Sequence, residues 1–226
     1  MEKNKVWNCL LDLLYPPRCV WCHRYLNSVE KRERVCARCK KDLPLLDKEE
    51  REQSFPGLDS CTSLLEYDGD VRQSILRYKF QGLSFYSSVY TELMSSVLDA
   101  DEYACDVITW VPLSRKRLRT RGYDQAKLLA EGFAKNTELP CIPLLKKVRN
   151  TAPQSGTRKR EERSTNIRDA YQAVNETEMN KKVVLLLDDI VTTGATLSEC
   201  AGVLKSAGAK QVKALTLART DLKRVR

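Results

Sequence analysis

Two adjacent carboxylates, Asp188 and Asp189, followed closely by Val191, Thr192, Thr193, Gly194, Ala195 and Thr196, form the stretch of this chain best equipped for chemistry. Neighbouring carboxylates can accept hydrogen bonds from vicinal hydroxyls of the kind a ribose offers. The threonine hydroxyls donate, Gly194 lets the backbone approach a ligand closely, and the unpaired N–H groups of a helix start attract an anion. A sugar phosphate satisfies both halves. Helix capping alone would use one hydroxyl or one carboxylate, leaving the rest of the pattern without a role. The elements that must position these groups are legible on either side. Lys182 to Leu187 is an apolar run of the kind found in buried parallel strands, and Leu197, Ala201, Leu204 and Ala207 recur at helical spacing.

A second cluster of reactive side chains lies near the amino terminus. Cys19-x-x-Cys22 and Cys36-x-x-Cys39 are separated by thirteen residues, a spacing that brings four thiolates to the corners of a tetrahedron, as structural zinc prefers. Reduced, unliganded thiols are the alternative, and a redox dithiol is a weaker third reading because no thioredoxin-like strand and helix surround the pair. His23, the single histidine, adjoins Cys22, but four cysteines already complete a shell. A module this small has no core of its own, so its folding is expected to depend on the metal. The remaining five of the nine cysteines, Cys9, Cys61, Cys105, Cys141 and Cys200, are scattered, which suggests a reducing compartment.

Positive charge gathers at two further places. After an apolar strand at Asp106–Pro112, five of the seven residues Arg115 to Arg121 are basic. Forked guanidinium donors beyond a strand end suit a diphosphate, although a solvated basic face has the same composition. Residues 149–168 are polar and basic, including Gln154, Arg163 and Asn166, and read as a mobile lid with a short helix, or else as a surface insertion. Lys79, at the end of an amphipathic helix from Val71, reads equally well as a phosphate ligand or as a solvated helix-end lysine.

The whole chain supports such a site. Its 226 residues, 42% of them hydrophobic, suffice for one α/β domain and a small appendage. A net charge of +9 favours anionic partners, either phosphate-rich small molecules or nucleic acid. No apolar run approaches the ~20 residues of a membrane span, and no signal-peptide pattern opens the chain, so a cytoplasmic location is expected. Val6, Leu10, Leu13 and Leu14 mark a short amphipathic helix, suited to docking on the protein's own core or lying on a membrane surface. Residues 44–60 read as a linker, and further strands are expected at 61–67, 141–148, 171–174 and 211–218.

The Asp188 loop resembles the ribose-phosphate signature of type I phosphoribosyltransferases, which hold 5-phosphoribosyl-1-diphosphate (PRPP). The likeness narrows when other motifs are added. These are Leu14-Tyr15-Pro16-Pro17-Arg18-Cys19, the Tyr67–Gly82 segment, Pro112 with Arg121-Gly122-Tyr123-Asp124-Gln125, Arg163-x-x-Asn166, and Leu217-Ala218-Arg219. Together they resemble the ComF family over nearly the whole chain. Two positions depart from it: Tyr123 stands where the family usually has Phe, and Asp124 where it usually has Asn.

The resemblance implies an open, mostly parallel α/β sheet of the type I phosphoribosyltransferase type (residues 51–226) behind an N-terminal helix and four-cysteine zinc ribbon (residues 1–50). It implies that Asp188 and Asp189 face the ribose 2′- and 3′-hydroxyls and that Val191 through Thr196 wrap the 5′-phosphate. Diphosphate contacts fall on Leu113, Ser114, Arg115 and Arg121, lid functions on Gln154, Arg163 and Asn166, and catalytic roles on Asp188, Asp189 and Arg163. Structural Zn²⁺ on Cys19, Cys22, Cys36 and Cys39, and Mg²⁺ with PRPP, are the implied cofactors. The implied setting is natural competence, with uptake of single-stranded DNA and partners in the competence machinery. Three functions are compatible: a transferase with an unassigned acceptor, a non-catalytic PRPP-responsive DNA-binding module, or a nucleobase-salvage enzyme. The basic residues Arg18, Arg24, Lys31, Arg32, Arg34, Arg38, Lys40 and Lys41, with Trp21 and Tyr25, are placed to track a single strand by charge and stacking, and a solvated ribbon would carry similar residues.

Overall fold

The computed structural model describes residues 16–149 and 169–220. The apolar run read above becomes a nine-residue strand, β6 (Val183–Val191), whose side chains face opposite sides alternately. Leu185 and Leu187 enter one core cluster while Val184 and Leu186 enter another. Both faces being apolar, the strand sits inside the sheet rather than at its edge.

Around it the main sheet runs β1 (Glu52–Gln53), β2 (Ser60–Glu66), β7 (Gln211–Arg219), β6, β3 (Val107–Trp110). All pairings are parallel except β1 with β2. The shared direction collects the carboxyl ends of β2, β3, β6 and β7 along one edge, where open α/β sheets bind ligands. One buried polar pair crosses the sheet, Ser63 Oγ to Thr216 Oγ1 at 2.7 Å, so neither hydroxyl is left unsatisfied.

On one face lie α3 (Gly69–Phe80), α4 (Tyr86–Val97) and α6 (Gln125–Thr137). Their buried stripes, including Ile75, Tyr78, Tyr90, Met94, Leu129 and Phe133, pack on Leu185, Leu187, Leu215 and Leu217. The other face takes α7 (Ala195–Ser206) through Leu197, Cys200, Ala201 and Leu204. The zinc-ligand segment, with its helix α1 (Ala37–Asp42), joins the first of these layers. Cys19 and Val20 are fully buried and Trp21 is 2% exposed, in one cluster with Tyr78 and Tyr90.

Two sequence expectations need correction. Residues 44–60 are not a free linker. Leu45 bridges to Leu65, α2 (Lys48–Arg51) follows, and β1 adds an antiparallel edge to β2. Arg51 fixes this stretch through the Leu46 and Val97 carbonyls and an ion pair with Glu102. The strand expected at 141–148 is broken, because Pro143 has no N–H with which to continue a ladder. Cys141 makes a lone bridge to Ile108, and only β4 (Leu145–Lys147) is a strand, paired antiparallel with β5 (Tyr171–Ala173) in a separate two-stranded sheet. The basic stretch beyond β3 forms a short helix, α5 (Arg115–Arg121). The expected helix at 5–15, the basic segment 149–168 with Gln154, Arg163 and Asn166 (save Arg149), and the terminal Leu222–Arg226 lie outside the described residues. Among the described residues no helix is long and apolar enough to cross a membrane.

Candidate functional site: a carboxylate-pair loop and a four-cysteine centre

Asp188 and Asp189 lie near the carboxyl end of β6, with Asp188 level with Thr216 of β7. Asp189 is 6% exposed and Asp188 half-buried. Burial pushes the Asp188 carboxyl up, to about 7, and the adjacent Asp189 charge adds to the rise. Asp188 Oδ1 accepts the Asp189 N–H at 2.8 Å.

The chain then turns through Thr192 and Thr193 to Gly194, whose φ of +73° is in the left-handed region, and enters α7 at Ala195. Thr192, Thr193, Ala195 and Thr196 are partly exposed around that helix start, whose first amides have no intrahelical acceptor. Two carboxyl side chains and an anion-attracting backbone therefore stand a few residues apart on one strand edge.

Gly194 is required twice over. A Cβ there would overlap the Phe55 ring, and the backbone conformation itself disfavours any L side chain. We expect Gly194→Ala to lower the melting temperature by several degrees and to weaken anion binding at the loop about tenfold, read by calorimetry with ribose 5-phosphate. An unchanged melt and unchanged affinity would show that the loop tolerates a side chain. Phe55, from the stretch read as a linker, was not legible as part of this site; nothing in its sequence neighbourhood marks it.

The other predicted contacts fall nearby but are differently employed. The Leu113 N–H donates to Asp124 Oδ2 at 2.9 Å, and Asp124 Oδ1 also accepts from Lys127 N as the cap of α6. Asp124 thus fixes the loop after β3. Burial raises its carboxyl, with Asp189 contributing further. Ser114 is buried and caps α5 through the Arg117 N–H. Arg115 is exposed at the start of α5, whereas Arg121 donates to Gln125 Oε1 at 2.8 Å and lies over the exposed Phe80 ring. Lys79 is not a solvated helix-end lysine: its Nζ is 2.8 Å from Asp189 Oδ1 and its side chain is 17% exposed.

The four cysteines converge. All four Sγ atoms lie within 4.8 Å of one another, and Cys22 Sγ to Cys36 Sγ is 3.7 Å. Ligands at ~2.3 Å in a tetrahedron stand about 3.8 Å apart, so the set fits zinc. Backbone N–H groups of Cys36 and Cys39 point at Cys19 and Cys36 sulfurs, as thiolates require. His23 is outside this group.

Trp21 corrects the stacking surface read from sequence. It is buried 5.0 Å from the Tyr90 ring and is closed to a nucleic-acid base. Arg24, Arg38 and Lys40 are engaged with Glu30, Asp70 and Glu33. Exposed aromatics carry arginines instead: Arg18 over Tyr25 at 4.0 Å and Arg34 over Phe85 at 4.3 Å.

A parallel sheet with a carboxylate-pair loop at its carboxyl edge, joined to a four-cysteine ribbon, defines a type I phosphoribosyltransferase fold with a zinc ribbon. Residues 10–50 match the double zinc ribbon domain family and residues 120–225 the phosphoribosyl transferase domain family. The described residues hold one group of four convergent cysteines.

Curated relatives then specify the family. Competence protein ComFC of Streptococcus pneumoniae is 32% identical over 161 residues, which cover 71% of this chain and 68% of that protein. Competence protein F of Haemophilus influenzae is 27% identical over 233 residues, covering 89% of this chain and 96% of that one. DNA utilization protein YhgH of Escherichia coli is 32% identical over 176 residues, 74% of this chain and 75% of that one. The chain belongs to the ComF family of competence proteins.

Proposed function

We propose that this chain binds PRPP with Mg²⁺ and serves DNA uptake in natural competence, transferring the phosphoribosyl group to an acceptor. The carrying observation is the placement of Asp188 and Asp189 beside the Thr192–Thr196 helix start, which matches a ribose next to its 5′-phosphate. In the reaction the bond from C1 to the diphosphate oxygen breaks, positive charge develops at C1, and the acceptor's nucleophilic atom forms the new bond. The acceptor's proton passes to solvent or to the departing diphosphate. Catalysis would consist mainly of positioning and electrostatics, so the scarcity of histidine is no obstacle. The carboxylates hold the sugar, the α7 amides hold the 5′-phosphate, and cations beyond β3 face the leaving group. Mg²⁺, when bound with the diphosphate, neutralises charge on the leaving group.

The test is titration of the zinc-loaded chain with PRPP, with and without Mg²⁺, followed by assays for diphosphate release against bases, nucleosides and single-stranded DNA. Saturable Mg²⁺-dependent binding supports the reading. Binding without release for any acceptor favours a PRPP-responsive module, and absence of binding overturns it.

Contact with single-stranded DNA is favoured by the arginine-capped exposed aromatics, which combine a cation with a stacking face. Tyr25, Phe80 and Phe85 are 59%, 65% and 39% exposed. Changing Arg18, Arg34, Tyr25 and Phe85 to alanine is expected to weaken oligonucleotide binding about tenfold or more and to flatten its salt dependence. Salt-insensitive binding by the unaltered chain would refute this surface.

A further inference from the structure

The last turn of α3 meets the pentose carboxylates directly. Lys79 Nζ lies 2.8 Å from Asp189 Oδ1, and the two side chains are only 17% and 9% exposed. Exposed pairs such as Arg38–Asp70 and Lys48–Asp99 are of the kind that contribute little. A covered pair is different, because removing one partner strands the other charge away from water.

The helix that carries Lys79 is tied on two sides. The Ser74 hydroxyl and the Arg77 guanidinium donate to the Val20 carbonyl, and Arg77 also donates to that of Trp21, in the first cysteine knuckle. The Tyr78 hydroxyl donates to the Gln125 carbonyl at 3.0 Å, and the Tyr123 hydroxyl donates to the Tyr78 carbonyl. The Lys79 backbone is therefore held between the ribbon and the segment that carries Asp124.

Lys79 pairs with Asp189 and Asp188 adjoins it in β6, while Asp124 at the start of α6 and Tyr67 just beyond β2 are near enough for the Asp189 charge to raise both. Of these groups Lys79 is the cation, and its ammonium is paired with Asp189 Oδ1. A carboxylate has lone pairs on both oxygens, so Asp189 Oδ2 retains its capacity to accept a hydroxyl. A cation on the first oxygen also fixes the plane in which the second can accept.

We infer that Lys79 is a positioning residue of the pentose site, holding the Asp189 carboxylate so that its second oxygen accepts the ribose 2-hydroxyl. This rests on the PRPP reading above. It assigns Lys79 to discrimination between ribose and deoxyribose rather than to phosphate affinity.

The experiment compares ribose 5-phosphate with 2-deoxyribose 5-phosphate by titration calorimetry on the zinc-loaded full chain. These ligands share the 5-phosphate and differ by one hydroxyl. The unaltered chain is expected to prefer the ribose form by about tenfold or more, because a hydrogen bond to a charged acceptor is lost in the other. In Lys79→Met the ratio is expected to fall toward one, and Lys79→Arg, which keeps the charge, is expected to restore most of it. Lys79→Met combined with Asp189→Asn leaves no stranded charge and is expected to show the same ratio as Asp189→Asn alone.

A Lys79→Met chain that binds both sugars more weakly but with an unchanged ratio overturns the inference and leaves the PRPP reading standing. So does a further fall in the ratio when Lys79→Met is added to Asp189→Asn. An unaltered chain that binds neither these sugars nor PRPP overturns the PRPP reading, and the inference with it.

Discussion

Replacing Cys19 and Cys36 together with serine is expected to destabilise the whole chain, not only its amino-terminal module. The reason lies in where the first knuckle packs. Cys19 and Val20 are fully buried and Trp21 is 2% exposed, all in the cluster that contains Tyr78, Tyr90 and Leu64. Trp21 stacks on Tyr90, and the Val20 and Trp21 carbonyls receive donors from α3. If the thiolates no longer share a metal, the knuckle opens and that surface returns to water. Losing the contacts of one buried tryptophan costs about 3–5 kcal/mol, a large part of the roughly 5–15 kcal/mol that stabilises a domain. The melting temperature should fall by roughly 10 °C, and chelation of the metal from the unaltered chain should produce a similar fall. Scanning calorimetry paired with elemental zinc analysis checks both. A chain that melts identically with and without zinc would show that the ribbon is an ornament on the larger domain.

The second large effect concerns ligand rather than stability. Asp188→Asn with Asp189→Asn keeps the shape of both side chains and removes both charges. Burial raises the Asp188 carboxyl toward its neutral form, so an amide is tolerated there. Asp189→Asn deprives Lys79 of its partner, a local cost that should leave the sheet intact. A hydrogen bond to a charged acceptor contributes roughly 1.5–3 kcal/mol, so loss of the one at Asp189, with a weaker one at Asp188, should reduce PRPP affinity about tenfold to a hundredfold. Calorimetric titration reads the affinity, and circular dichroism confirms that the fold persists. Undiminished PRPP binding by this variant would move the pentose site away from β6.

The four-cysteine cluster and the carboxylate-pair loop were legible for the same reason: their residues are contiguous in the chain. A C-x-x-C knuckle places two sulfurs on one turn, and the Asp188–Thr196 loop places carboxylates and helix amides within one strand-to-helix connection. Elements with a strong period were equally readable. The helical stripe Ala126, Leu129, Ala130 and Phe133 is buried as its spacing required. Composition misled where tertiary contacts overrode it. The charged run at 47–52 reads as solvent-exposed linker, yet Arg51 is held by carbonyls of residues 46 and 97 and by Glu102. Trp21 beside arginines reads as a stacking platform, yet the knuckle turns it inward against Tyr90.

By itself, then, the sequence determined the alternation that makes β6 a central strand, the loop that follows it and the four sulfurs that converge, since each follows from the periods and reach of neighbouring residues. Only the tertiary structure decided that Lys79 answers Asp189 across 110 positions, that Asp124 secures Leu113, and that Phe55 seals Gly194. These contacts join elements whose separation in the chain carries no pattern. They are set by the parallel order of the sheet and by the way α3 is clamped between the ribbon and α6.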